Sequence, residues 1–431
     1  MAPVVASLAT SPESAAQELT LTESVERALR DHPSLGASRA RMVAANEATS
    51  AARAALLPGV SLNASLTRFE EPMIVSPLHR LDLMNPPAFD ETLVQGQAGL
   101  AYTLFDAGGR SSRIEAASAF AEGSRFGVEA TEMSLIEQVA QAYAGTLSAR
   151  AVAEAAAAQV ASVEQEVARA QRSLEAGTIA EVGLLRARAA LQDARARQAS
   201  AEARVGLSER SLERLIGVAR GTIAGRTLVE LELVTPAAQP AEGRSPLVEQ
   251  ADRAVEAAEA RTREQRSTRL PTLQLGAALL DFGTLDGDHV FEWQAGVQLS
   301  WSVFNGGARS AAIRRADADL RAARGDLAVA ELQAANATDV ARTAIAEADA
   351  RVEALGAAVE QWTEVARIEA LALEAGSGVQ NDLLRAEASL FEARAGHARA
   401  GYDAVLARVA LAHATGELTM EWLNRALEIG R

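Results

Sequence analysis

The chain repeats itself at a fixed distance. Phe105-Asp106-Ala107-Gly108-Gly109-Arg110-Ser111 returns as Phe304-Asn305-Gly306-Gly307-Ala308-Arg309-Ser310, an offset of 304 − 105 = 199 residues. Glu175-Ala176-Gly177-Thr178 returns as Glu374-Ala375-Gly376-Ser377 at the same offset. So do Leu184-Leu185-Arg186-Ala187, as Leu383-Leu384-Arg385-Ala386, and Gly217, as Gly416. No gap is needed across the interval. Spacing held this strictly belongs to elements whose lengths matter, such as rods that must end at one level.

Each repeat carries a pair of alternating segments. From Phe291 to Val303 the odd positions are Phe291, Trp293, Ala295, Val297, Leu299, Trp301 and Val303, and the even ones are polar or Gly. Successive side chains of a strand point to opposite faces, so one face is apolar and the other polar or small. Val60–Leu66, Val94–Leu104 and Leu273–Leu279 alternate likewise. A long Pro-containing stretch, 69–92, joins the first pair, and a Gly/Asp-rich one near 281–290 joins the second. Two readings stay open on pattern alone. One is a half-buried antiparallel sheet in a soluble protein. The other is part of a transmembrane barrel with apolar residues toward lipid, where Tyr102, Phe291, Trp293 and Trp301 serve as interface aromatics. Four strands cannot close a barrel, so the second reading requires an oligomer.

Between the strands and the Ala-Gly tips the sequence reads as long helix. Val160, Val163, Val167, Ala170 and Leu174 are spaced 3-4-3-4, and so are Val352, Leu355, Val359, Trp362 and Ala366, the seam spacing of a coiled coil. Each long helix reaches about 100 Å and each return helix about half of that. A further half-length helix, about 22–57 with Thr22 as its cap, precedes the first strand, and 245–270 precedes the third; each ends at a proline, Pro58 and Pro271. Two half-length helices then stack end to end beside one long one. Repeat 1 is therefore 1–217, with strands at about 60–68 and 93–105, a long helix 109–176 and a return helix 182–216. Residues 218–244 form a connector at mid-height. Repeat 2 is 245–416, with strands at about 272–280 and 291–304, a long helix 307–375 and a return helix 382–415, and 417–431 is a second mid-height segment.

The net charge of −15 argues against a nucleic-acid partner. There is no cysteine, which excludes disulfides and thiolate metal sites in this sequence. Aromatics are only 4%, thin for a large globular core, whereas alanine, the best helix former, is abundant. No apolar run approaches the ~18–20 residues of a spanning helix, and Met1–Gln17 lacks the pattern of a leader. If the protein is exported, this sequence is a mature form with an added Met.

With these features in order and duplicated, the chain resembles the TolC family of outer-membrane efflux proteins over nearly its whole length. The carriers are Leu19-Thr20-Leu21-Thr22-Glu23-Ser24-Val25, Ala28-Leu29, Pro33 and Leu56-Leu57-Pro58, the two Phe-(Asp/Asn)-…-Gly-Gly-…-Arg turns, the two Ala-Gly-Thr/Ser tips each followed by Leu-Leu-Arg-Ala, and Leu215-Ile216-Gly217. The resemblance implies a mainly α fold with a β-barrel portion: a homotrimer in which each subunit gives four strands to a twelve-stranded outer-membrane barrel and its helices to a periplasmic tunnel. It implies a passive conduit in outer-membrane lipid, served by a periplasmic adaptor protein and an inner-membrane pump of RND or ABC type, in efflux or type I secretion. The rival from another class is a soluble coiled-coil scaffold.

The resemblance also assigns sites. Gly108, Gly109, Gly306 and Gly307 form the turns from barrel to helix. Arg172, Leu174, Gly177, Thr178, Gly376 and Ser377 form the adaptor-docking tips, where the two glycines also suit helix C-caps. Asp382 aligns with a family aspartate at the pore constriction, and a second such aspartate is replaced by Arg385. The residues that latch the family's best-known member shut align with Gly378 and Leu373, so that latch is missing. Asp382 equally suits a helix N-terminus. Gly183 stands in the first tip where Asp382 stands in the second.

No catalytic constellation, metal spacing or cofactor motif is visible. The five histidines are scattered, and the Gly-Gly turns lack the Lys of a phosphate loop. The Glu and Asp residues of the helices read as a solvated face.

Overall fold

The computed structural model describes residues 18–77, 79, 84, 87–233, 244–287 and 289–429. The leader question at Met1–Gln17 lies outside them, as do parts of the 69–92 and 218–244 segments and residues 430–431. The elements are α1 Leu21–Asp31, α2 Pro33–Ala54, β1 Gly59–Ile74, β2 Phe89–Phe105, α3 Gly109–Glu175, α4 Glu181–Ile216, β3 Leu231–Leu233, α5 Pro246–Ser267, β4 Thr272–Thr284, β5 His289–Ser300, α6 Ala308–Glu374, α7 Gln380–Ala414, α8 Met420–Ala426 and β6 Leu427–Ile429. The chain is mainly helical with a small antiparallel sheet. Its two long helices, α3 and α6, each have 67 residues. Two compact units are distinguished, one of residues 40–126 and 249–330, the other of 18–39, 127–248 and 331–429.

The expected single helix over 22–57 is two helices. His32 is extended, with ψ 128°, because a residue before proline is pushed out of the helical region, and Pro33 opens α2. The cap of α1 is Thr20 rather than Thr22. Its hydroxyl accepts the Glu23 N–H at 3.1 Å, and Thr22 instead donates to Asn424 Oδ1 at 3.0 Å.

In the first unit, β1, β2, β4 and β5 form one antiparallel sheet in that order. The strands outrun the alternating segments at the loop ends. β5 stops at Ser300, so Trp301 and Val303 lie beyond it; Trp301 instead donates its indole N–H to Arg269 O at 3.2 Å. Beside the sheet, α5 packs on small residues, Ala257, Ala258, Ala260 and Thr262, all buried. Arginine–carboxylate pairs tie it to the starts of α3 and α6: Arg113–Glu264, Arg263–Glu115, Arg266–Asp317 and Arg324–Glu259. Pairs this exposed contribute at most ~1 kcal/mol each, so close alanine packing is the main adhesive.

In the second unit, the largest core gathers Leu21, Val25 and Ala28 of α1, Leu135, Ile136, Val139 and Tyr143 of α3, the ends of α4 and α7, and Leu423 of α8. The connector after Gly217 is built into this core. Leu19 bridges Leu228 in parallel, β3 pairs with β6, and Ile223 is fully buried. Tyr143 holds it: its hydroxyl lies 2.7 Å from Leu19 O and 2.8 Å from Val229 O. Burial pushes that phenol well above its usual range, so it stays a neutral donor. Arg150 donates to Glu209 at 2.6 Å and to the carbonyls of Ile223 and Arg226. From here α3 and α4 run antiparallel through three small cores. These are Val152, Ala156, Ala201 and Ala395; then Val160, Val163, Leu191 and Ala194; then Ala170, Leu184 and Ala187. The 3-4-3-4 seam of α3 is thus packed within the chain. The expectation of solvated helix carboxylates fails at Glu166, Glu209 and Glu213, which are buried. Glu213 accepts the Ile223 N–H at 3.1 Å, so it is retained as a partner for the connector.

Candidate functional site

The register of the sheet collects the apolar alternation into one face. Val60 stands opposite Leu100, Leu62 opposite Ala98 and Leu66 opposite Val94. Ala98 then stands opposite Leu279, and Leu100 opposite Ala277. Leu275 faces Val297, and Leu279 faces Trp293. The other face carries Ser61, Asn63, Ser65, Gln95, Gln97, Gln274 and Gln298. The apolar face is bare: Leu62 is 83% exposed, Val60 78% and Trp293 74%. Phe291 and Trp301 are exposed as well, whereas Tyr102 is half-buried with the Arg110 guanidinium 6.0 Å from its ring centroid. Among the described residues, edge strands β1 and β5 each pair on one side only. An apolar sheet with two open edges is unfavourable in water and a template for further strands.

The two sheet-to-helix turns differ in how they use glycine. The left-handed positions are 107 and 108 in the first turn, with φ 54° and 83°, and 306 and 307 in the second, with φ 64° and 87°. Ala107 therefore occupies a conformation that its counterpart Gly306 adopts freely. Gly109 is helical, and a Cβ there would lie 2.8 Å from Ser267 Oγ, a side-chain end that would have to turn away. The Gly-Gly pair is thus not a unit; position, not pairing, sets the requirement. Arg110, left without a role by sequence reasoning, clasps the first turn. Its N–H and Nε donate to Asp106 at 2.7 and 3.1 Å, and its other nitrogens donate to Ala55 O and Thr103 O. Arg309 does less, bonding Asn305 through its backbone and Ser302 O through its side chain. The repetition of Arg at the 199-residue offset is the signal that marked them.

At the tips, both long helices end in the same motif. Gly177 has φ 72° and Gly376 φ 73°. Thr178 N–H reaches back to Ser173 O and Gly177 N–H to Leu174 O; Ser377 reaches Ala372 O and Gly376 reaches Leu373 O. These are Schellman caps, which close the last orphan carbonyls of a helix. The tips diverge after the glycine. A Cβ on Gly378 would meet backbone atoms of Leu373 and Ala372 at 2.7 and 2.8 Å, yet the first tip has Ile179 there. Gly183 has its own reason: Gln380, at the start of α7, would lie 3.2 Å from a Cβ there. The two tips of one chain therefore touch. Arg172, Gly177, Thr178, Gly376, Ser377, Asp382 and Arg385 are all exposed, while Leu174 packs partly onto the Ala170–Leu184–Ala187 core.

The comparisons with known proteins agree with this geometry. The model of the family described as "Outer membrane efflux protein" matches residues 24–218 and 237–417. The chain belongs to that family. Among solved structures, it is similar to the outer membrane protein VceC from Vibrio cholerae, with TM-score 0.81, 21% identity, and 92% of this chain and 96% of that one covered. A membrane protein from Pseudomonas aeruginosa gives TM-score 0.82 at 21% identity, covering 93% and 91%. The CmeC outer membrane channel of Campylobacter jejuni gives 0.80 at 17%, covering 93% and 86%. No protein of curated function matches the sequence. Membership places the protein in the bacterial outer membrane as an efflux channel. The bare apolar sheet face now has its solvent, and the soluble-scaffold reading is set aside. The family is one of channels and not of enzymes.

Proposed function

We propose that the protein is a passive conduit built from three copies of the chain, in which the three four-stranded sheets close into a twelve-stranded barrel and the helices line a periplasmic tunnel. The observation that carries this is the sheet itself, apolar on one face, polar on the other and open at both edges. Three copies pair β1 of one with β5 of the next. Trp293, Phe291, Trp301 and Tyr102 anchor the barrel at the lipid interface. A periplasmic adaptor docks at the tips, on Arg172, Leu174, Gly177, Thr178, Gly376 and Ser377. An inner-membrane RND or ABC pump supplies energy and substrate for efflux or type I secretion.

Asp382, exposed in the first turn of α7, forms a ring of three carboxylates at the constriction, with Arg385 beside it. The test of the whole reading is direct. Detergent-extracted protein should run as a trimer and give conductance in planar bilayers, whereas a monodisperse, detergent-free soluble monomer overturns it. For the ring, Asp382→Ala should weaken cation selectivity and block by multivalent cations; if conductance, selectivity and block are all unchanged, Asp382 is only a helix N-terminal acid.

A further inference from the structure

Four residues of α3, Gln159, Ser162, Glu166 and Arg169, recur at i, i+3, i+7 and i+10 and so share one helix face. That face meets α7 and the end of α6. The Ser162 hydroxyl donates to Glu387 Oε1 of α7, and Arg169 reaches Glu374 of α6 at 3.3 Å. Leu384 of α7 packs beside the same stretch, against the Val160–Val163–Leu191–Ala194 core. So this strip is one of the places where the two helical hairpins of one chain adhere, and the polar one among the apolar contacts that also join α3 to α7.

The strip is polar, buried and incompletely bonded. The Glu166 side chain is only 5% exposed and Gln159 8%. Gln159 Oε1, Glu166 Oε2 and Glu387 Oε2 are buried acceptors without a hydrogen bond, and Arg169 Nη1 is a buried donor without one, 3.4 Å from Glu166 Oε1. The groups that act on Glu166 from the packed elements are Arg169 of α3, Glu374 of α6 and Glu387 of α7; those on Glu387 are Ser162 and Arg169. Fully ionised, the buried Glu166 and the half-buried Glu387 face one guanidinium, a net charge of −2 + 1 = −1, with the exposed Glu374 adding a third carboxylate at the rim. A partly satisfied buried network of this kind is costly. One added proton removes one charge and supplies a donor to the acceptors that lack one.

We propose that Glu166 and Glu387 form a proton-operated strap between the two helical hairpins of the chain: with a proton bound the strap holds α7 on α3, and with both carboxylates ionised it loosens. The inference does not depend on the conduit reading, because both hairpins belong to one chain. The chemistry of the ligand is a proton alone; among the described residues no group of three or more His, Asp or Glu side chains is placed to hold a metal ion. Burial raises both carboxyls above the ordinary range, against the Arg169 charge, which lowers both, and the Ser162 hydrogen bond, which lowers Glu387; the Glu387 charge adds to the rise at Glu166. The sign follows. A carboxyl raised in the folded state binds its proton more tightly there than in the unfolded chain. The adhesion is therefore complete below the ordinary carboxylate value and is lost as pH rises through the elevated one.

The sequence has no cysteine, so spin labels at Gln165→Cys on α3 and Arg394→Cys on α7, both exposed, report on this seam when doubly labelled chains are diluted into an excess of unlabelled ones. In the full-length protein in detergent, the distance distribution between them should be narrow at about pH 4.5 and at least twofold broader at about pH 8. Glu166→Gln and Glu387→Gln, each a fixed neutral mimic, should stay narrow at both. A wild-type distribution indifferent to pH overturns the strap, as does a wild-type response that survives in the glutamine variants. Should one variant fail to assemble, the other carries the comparison.

Discussion

The two long helices are the same length and hold the same place in the two repeats, yet they are not equivalent within the chain. α3 buries its seam: Leu135, Val139, Tyr143, Val152, Val163 and Ala170 all lie in cores. α6 buries Ile313, Ala316, Ala341 and Ala348 only, and leaves Leu332 70%, Val340 59% and Leu371 51% exposed. Its 3-4-3-4 seam is as regular in sequence, and Trp362 within it is exposed. The difference teaches that duplication copies a pattern but not its partner. α3 is covered by α4, α1 and the connector, whereas α6 leaves apolar residues exposed, which the proposed conduit would cover with a neighbouring copy.

The sharpest way to break that contrast is a charge at an apolar position of each helix, buried in α3 and exposed in α6. Val139→Asp in α3 should cost about 3–5 kcal/mol and abolish folding, read as loss of the thermal transition by circular dichroism. Leu332→Asp in α6 should leave the helical content of the chain intact and deplete the trimer on sizing in detergent. A normal trimer with Leu332→Asp removes α6 from the subunit interface. Next in size is the tip. Gly378→Ile copies the first tip into the second and should cost about 2–3 kcal/mol through backbone collision, whereas Ile179→Gly, the reverse swap, should cost less; equal effects in thermal melts say the tips are interchangeable.

The turns give a smaller contrast. Arg110→Ala, which removes the clasp on Ala55, Thr103 and Asp106, should cost about 1.5–3 kcal/mol, and Arg309→Ala about half of that, read from melting temperatures. Smallest is Ala107→Gly. It relieves a left-handed alanine and should stabilise by about 0.5–1 kcal/mol, while the already relaxed Gly306 has nothing to gain.

Sequence legibility followed the same divide. The alternation from Phe291 to Val303 and the Ala-Gly-Thr/Ser tips were readable because a strand's period and a helix cap are local requirements of the backbone. Where the sequence misled, the deciding partner lies far along the chain. Nothing near Glu166 distinguishes it from the exposed Glu164, because the carboxylate that acts on it, Glu387, lies 221 residues later by 387 − 166. Tyr143 carries no local mark of bonding Leu19 and Val229. Gly183 reads in sequence as a departure from symmetry, and only the fold shows that the Gln380 and Ile179 side chains crowd it. Trp301 continued the alternation yet left the strand, since period alone does not say where pairing stops.

The successive small cores along α3 and α4 also restrict how such a chain can evolve. Inserting one residue into α3 turns everything beyond it by about 100° and shifts it by about 1.5 Å. Val160 and Val163 then part from Leu191 and Ala194, and every core up to Gly177 is mismatched together. Only whole heptads, added to α3 and α4 at once and matched in α6 and α7, keep both ends level. Length in this molecule is therefore inherited in blocks, while the loops between strands are free to change one residue at a time.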